Sequence, residues 1–183
     1  MKRVVAIALG VLAVSAGIYA QSNDAEIERA LMPAPRNMRD GATVVHWKAD
    51  GTYDTLKKGT GPLLCYDWSG MPGKQPFAVQ CTSIKNLDRV AQNLKLASIT
   101  DPAARKAEVE KLEKEGKRVK PEFGSAWLTM NAASKEAANH VHTTIAVPNA
   151  TMASMGLPDN PKQGGLWIMA AGTSEAHLMI PGQ

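Results

Sequence analysis

The chain has 183 residues, 21 basic side chains against 17 acidic ones, and a formal net charge of +4. Two of the basic residues, Lys2 and Arg3, lead an apolar terminal run. Without them the balance is 19 against 17, or +2, too small an excess to argue for nucleic acid as a partner.

Residues 1–20 read as an export signal. Lys2 and Arg3 supply the positive start, Val4 to Ile18 the apolar run, and Tyr19-Ala20 precedes a polar segment from Gln21. Cleavage is expected after Ala20, with a cut after Gly17 as the alternative. The competing reading is an uncleaved anchor, but the run is short for a spanning helix, which needs about 20 apolar residues. No cysteine follows the run, so a lipid-bearing N-terminal cysteine is not available. The remaining chain, 21–183, is expected to be one α+β domain, periplasmic or secreted, with no membrane contact after signal cleavage.

Asn23 or Asp24 can cap a short N-terminal helix carrying Ile27, Ala30 and Leu31, which Pro33 and Pro35 stop. Residues 42–47 are β-branched and aromatic and read as a strand. Asp50-Gly51 is a turn signal, and 52–56 returns as the hairpin partner. Residues 57–62, with Gly59 and Gly61, break the pattern without forming a phosphate loop, because no Gly-Lys-Ser/Thr follows. A third strand is expected at 63–68, before a loop over 69–76 that is too rich in Gly and Pro for regular structure.

Cys65 and Cys81 are the only cysteines. In an oxidising compartment an even pair is most simply a disulfide, and it would close the 69–76 loop at both ends. A reactive thiol wants a cationic neighbour to lower its pKa, and neither cysteine has one adjacent in sequence.

From Ser83 the period becomes helical: Ile84, Leu87, Ala91 and Leu94 recur on one stripe, predicting a helix over 83–98. Asp101-Pro102 caps and starts a second helix over 101–115, with Gly116 placed to end it. Its apolar residues are sparse, so it is expected on the surface, with Glu110 and Lys114 as an i,i+4 pair. Residues 117–121 read as a basic linker and 125–130 as a strand. Residues 140–147 alternate, placing His140, His142, Thr144 and Ala146 on one face. A helical turn is expected around Met152 and Met155. The chain then closes with strands at 166–171 and 176–180 around a turn at 172–175. These last three strands are expected at the centre of a mostly antiparallel sheet, with the two consecutive helices inserted into it and the helices grouped to one side or end.

Several stretches together resemble an uncharacterised family of exported bacterial proteins. They are Ala30-Leu31-Met32-Pro33-Ala34-Pro35, then Ala42-Thr43-Val44-Val45, then a cysteine pair around a Pro-rich loop. A histidine opening a strand that ends in Val147-Pro148 follows, and a close of Gly165 to Met169 and Ala176 to Pro181. The resemblance spans most of the mature chain and implies no activity. It suggests His142 and His177 as the matching histidines. The charged helical insert at 101–120 is longer than the resemblance would lead one to expect.

No Gly-x-Ser-x-Gly elbow, His-Glu-x-x-His or dinucleotide-binding glycine pattern occurs. The nine methionines suggest thioether ligation of Cu(I), but Met169 and Met179 lie in apolar strands and Met152 and Met155 sit at helical spacing, which suits core filling. The histidines form the one constellation that could carry chemistry. His140 and His142 share a strand face, and His177 on a neighbouring strand would complete a three-histidine zinc site with an open position. Asp159, Glu175 or Glu136 would then serve as base or further ligand. The competing reading makes the histidines structural, one buried and hydrogen-bonded and another facing solvent. The reading adopted is a non-catalytic exported domain without a cofactor, which binds a small molecule or an envelope partner or is mainly structural. The alternative is a metal-dependent enzyme using zinc at His140, His142 and His177.

Overall fold

The computed structural model describes residues 23–180, so the expected signal segment and its cleavage point lie outside the described residues, as does Pro181. The chain is helical from 23 to 30 (α1), and Pro33 and Pro35 follow where it ends. β1 (Thr43–Trp47) and β2 (Tyr53–Lys57) form the expected antiparallel hairpin around Gly51, whose φ of 80° is the left-handed conformation that glycine adopts without strain. The chain then crosses back over residues 39–42, and β3 (Leu63–Asp67) pairs with the far side of β1 in parallel. β4 (Phe77–Ser83) returns antiparallel to β3. Helices α2 (Leu87–Ala97) and α3 (Pro102–Lys114) follow, then β5 (Ala126–Ala132), β6 (His142–Ala146), the one-turn helix α4 (Met152–Met155), β7 (Trp167–Met169) and β8 (His177–Met179). All eight strands lie in one sheet of order β2-β1-β3-β4-β5-β6-β8-β7, antiparallel at every pairing but β1–β3.

The crossing from β2 to β3 explains its glycines. A Cβ on Gly59 would lie 2.1 Å from the Gly41 carbonyl oxygen. Lys57 closes the same passage by donating to the carbonyls of Arg39, Asp40 and Ala42 at 3.0, 2.6 and 2.9 Å.

Alternation along β3 distinguishes the two faces of the sheet. Leu64 and Tyr66 join Val45, Trp47 and Ala78 on one face, and Val90 and Leu94 of α2 pack onto them. Leu63 and Cys65 join Val44 and Cys81 on the other, against Ala30 and Ile27 of α1. The helices are therefore not grouped to one side: α1 and α2 cover opposite faces. Cys65 and Cys81 are directly opposed on β3 and β4, and they are disulfide-bonded and fully buried.

Two further expectations are corrected. Residues 77–83, the last of which is expected to open the helix over 83–98, form a strand at the sheet's middle. β4 is buried on both faces, and its polar residues are satisfied internally rather than by water: Gln80 accepts from Tyr66 Oη at 2.5 Å and donates to Thr129 at 2.6 Å, and Thr82 donates to the Ala126 carbonyl at 2.9 Å. Strands 140–147, 166–171 and 176–180 are not central. They shorten to β6, β7 and β8 at one end of the sheet, with β7 the edge strand.

The helix signals behave as expected. Asp101 Oδ1 accepts from Ala103 N at 2.9 Å with Pro102 at the first position, and Gly116 ends α3 at φ 67°. None of α3's side chains is buried. Its surface pairs are Lys106–Glu110 and Lys111–Glu108 rather than Glu110–Lys114. Among the described residues no helix is long and apolar enough to cross a membrane.

Candidate functional site

Strand register decides where the expected histidines stand. β6 and β8 are neighbours, and His142 and His177 share a face, as the alternation requires. His177, however, is opposite Ala146, four residues beyond His142. At about 3.3 Å per residue that is an offset of about 13 Å along the strand, too long for two imidazoles to share an ion. His140 lies outside β6 and is exposed, with Nδ1 3.1 Å from Asn139 Oδ1. Asp159 and Glu136 are exposed on separate loops. Among the described residues no group of three or more His, Cys, Asp or Glu side chains is placed to hold a metal ion. The fourth histidine, His46, pairs with Glu26 of α1 at 2.7 Å on the other face of the sheet.

The α2 face of the sheet does have a cleft, and His177 is in it. Helix α2 packs on this face over β1, β3 and β4, and the face continues past it onto β5, β6 and β8. A cleft of about 250 Å³ opens there. Gln80, Trp127, Thr144, Ala146 and His177 line it from the strands, and Arg89 and Asn93 from α2. Glu175 lines it as well.

Arg89 is 5% exposed. It donates through Nη1 to the Val119 carbonyl at 2.5 Å and to Ser174 Oγ at 3.1 Å, and through Nη2 to Glu175 Oε1 at 3.3 Å. Arg118, whose side chain is 3% exposed, reaches the same Glu175 oxygen at 2.7 Å. It also donates to Gln92 Oε1 and Asn93 Oδ1 at 2.6 and 2.7 Å. One carboxylate therefore serves two guanidiniums. Burial, first, and the Arg118 charge, second, push Arg89 down to about 10, so it remains a cation at neutral pH.

The turn expected at 172–175 as a simple hairpin connection is what brings Glu175 here. Ser174 is fully buried, and both its backbone N–H and its hydroxyl donate to Glu113 of α3. His177 Nδ1 is 2.7 Å from the Glu175 carbonyl oxygen. A carbonyl can only accept, so the proton is on Nδ1, and in the neutral ring Nε2 is left as the acceptor. The cleft thus presents a guanidinium donor, an imidazole acceptor, a carboxylate and the half-buried Trp127 ring. That set can bind and orient a polar molecule. Among the described residues its lining includes no serine or cysteine, and no hydrogen bond joins the Thr144 hydroxyl to a base.

Reading the sequence singled out Glu175 and His177 but missed Arg89, Arg118, Gln80 and Trp127. A signal existed for the first of these: Asn86, Arg89 and Asn93 repeat at the helical spacing of Leu87, Val90 and Leu94, a polar stripe beside the apolar one. Arg118 carried no such signal inside the basic run 117–120. No protein-family model, no curated protein and no solved structure matches the chain, so its functional reading rests on the geometry of this cleft.

Proposed function

We propose that the protein is a non-catalytic exported domain that binds a small polar molecule in the cleft over β5, β6 and β8. One observation carries the reading: Arg89, a buried guanidinium held in place by Val119, Ser174 and Glu175, lines an open cleft opposite His177 and Trp127. Fixing a charged donor in advance lowers the entropy lost when a ligand is ordered against it, which is a binding site's requirement. Export is supported by the buried Cys65–Cys81 disulfide, a bond that persists in oxidising compartments, and by the Lys2-Arg3 start before an apolar run.

The test is a thermal-shift screen of small polar metabolites, followed by nitrogen-15 NMR of the tryptophan indoles. Ligands of the cleft shift the Trp127 indole signal and lose their effect in Thr144→Trp, which fills the floor. A screen whose hits leave the Trp127 signal in place, or bind Thr144→Trp equally well, sinks the reading.

A further inference from the structure

On the other side of Asn93 and Glu175 from the cleft lies a second cavity of about 320 Å³, between α2, α3 and the loop joining β3 to β4. Its charge is unbalanced. Lys74, Arg105 and Arg118 line it against the single carboxylate of Glu175, which is already shared by Arg118 and Arg89. Neither Lys74 nor Arg105 makes an ion pair among the described residues. Arg105 Nε donates to the Ile99 carbonyl at 3.0 Å, and the Lys74 ammonium sits 3.5 Å above the Trp68 ring. Burial, first, and the Arg105 charge, second, push Lys74 below the ordinary lysine value, as expected of a cation lacking a counter-charge.

Hydrogen-bond accounting gives an independent observation. Among the described residues three buried side-chain donors have no acceptor, and two of them, Trp68 Nε1 and Arg118 Nε, belong to residues lining this cavity. Buried donors almost always find partners, and these two belong to residues that line one cavity. Apart from Asn93, the rest of the lining is apolar: Leu94, Leu96 and Ala97 from α2, and Val109 from α3.

We infer that this cavity binds a small organic anion, with its oxyanion head taken by Lys74, Arg105, Arg118 and the Trp68 indole and its apolar body laid against Leu94, Ala97 and Val109. The head group supplies the counter-charge that Lys74 and Arg105 lack and the acceptor that Trp68 Nε1 and Arg118 Nε lack. Among the described residues the Trp68 ring is the one partner of the Lys74 ammonium, which can turn from it onto the ligand. The site is independent of the cleft reading, because Lys74 and Arg105 do not line the cleft.

Isothermal titration of the disulfide-intact protein with 1-naphthoate, 1-naphthyl phosphate and neutral 1-naphthamide tests this. At least one of the two acids should bind, at least tenfold tighter than the amide. Whichever acid binds better identifies a carboxylate or a phosphoryl head. Lys74→Gln and Arg105→Gln remove charges that have no ion-pair partner among the described residues and keep most of the side-chain stem. Each should weaken the acid about tenfold while leaving the amide unchanged. On binding, the Trp68 indole N–H resonance should move downfield as it gains an acceptor. Equal binding of amide and acid, unchanged acid affinity in both variants, or no binding of either acid at millimolar concentration overturns the inference.

Discussion

Glu175 Oε1 lies 2.7 Å from the Arg118 guanidinium and 3.3 Å from that of Arg89, so one half-exposed carboxylate neutralises two arginines that are nearly out of water. Removing its charge leaves two like charges with only Glu113 of α3 to offset them. Glu175→Gln is expected to destabilise the fold by about 2 kcal/mol, below the usual cost of breaking a fully buried pair because Glu175 is partly solvated. Urea denaturation measures this. A midpoint equal to wild type would mean that Glu113 alone balances the arginines.

Gly59 has no room for a methyl group beside the Gly41 carbonyl. Gly59→Ala must push apart the passage that lets β3 pair in parallel with β1, and is expected to cost at least about 2 kcal/mol. Gly70→Ala, where nothing lies near the added Cβ but φ is 75°, should cost less, about 1 kcal/mol. Thermal unfolding of the two variants checks the order.

The Cys65–Cys81 bond closes a loop of sequence separation 16. On the chain-entropy account a loop of that size is worth about 3 kcal/mol. Thiol titration of unreduced, denatured protein is expected to find no free thiol, and the double variant Cys65→Ala/Cys81→Ala should lower the urea midpoint accordingly. Two titratable thiols would contradict the pairing.

Tyr66 is fully buried, and burial raises its phenol well above the ordinary tyrosine value of 10.0. The unfolded chain ionises this group first as pH climbs past that value, so it binds fewer protons than the folded state there. Stability contributed by Tyr66 is therefore intact below about pH 10 and falls as pH rises above it. Absorbance at 295 nm should show Tyr66 ionising only on unfolding. Tyr66→Phe should flatten the alkaline fall while orphaning Gln80 Oε1.

The separation of His142 from His177 has its own measurement. Metal content of untagged protein is expected to be sub-stoichiometric and the same in wild type and His142→Ala. A full equivalent of zinc that disappears in His142→Ala would show that the ligands come together in a way the strand register does not provide.

Much of this protein was legible from local chemistry. The Asp50-Gly51 hairpin, the Asp101-Pro102 start and Gly116 stop of α3, the β-branched and aromatic run of β1 and the alternation of β6 follow from backbone preference and side-chain period, which act over a few residues. The disulfide followed because two thiols without cationic neighbours had only each other. Tertiary structure alone decided the rest, because the deciding contacts join residues far apart in the chain. β4 is central because its polar Gln80 and Thr82 find partners on other strands, something no local pattern reports. His142 and His177 share a face by alternation, but the pairing of His177 with Ala146 sets how far apart they stand. Arg118 reads as one more solvated charge in a basic run until Gln92, Asn93 and Glu175, from two distant segments, surround it and make its burial affordable.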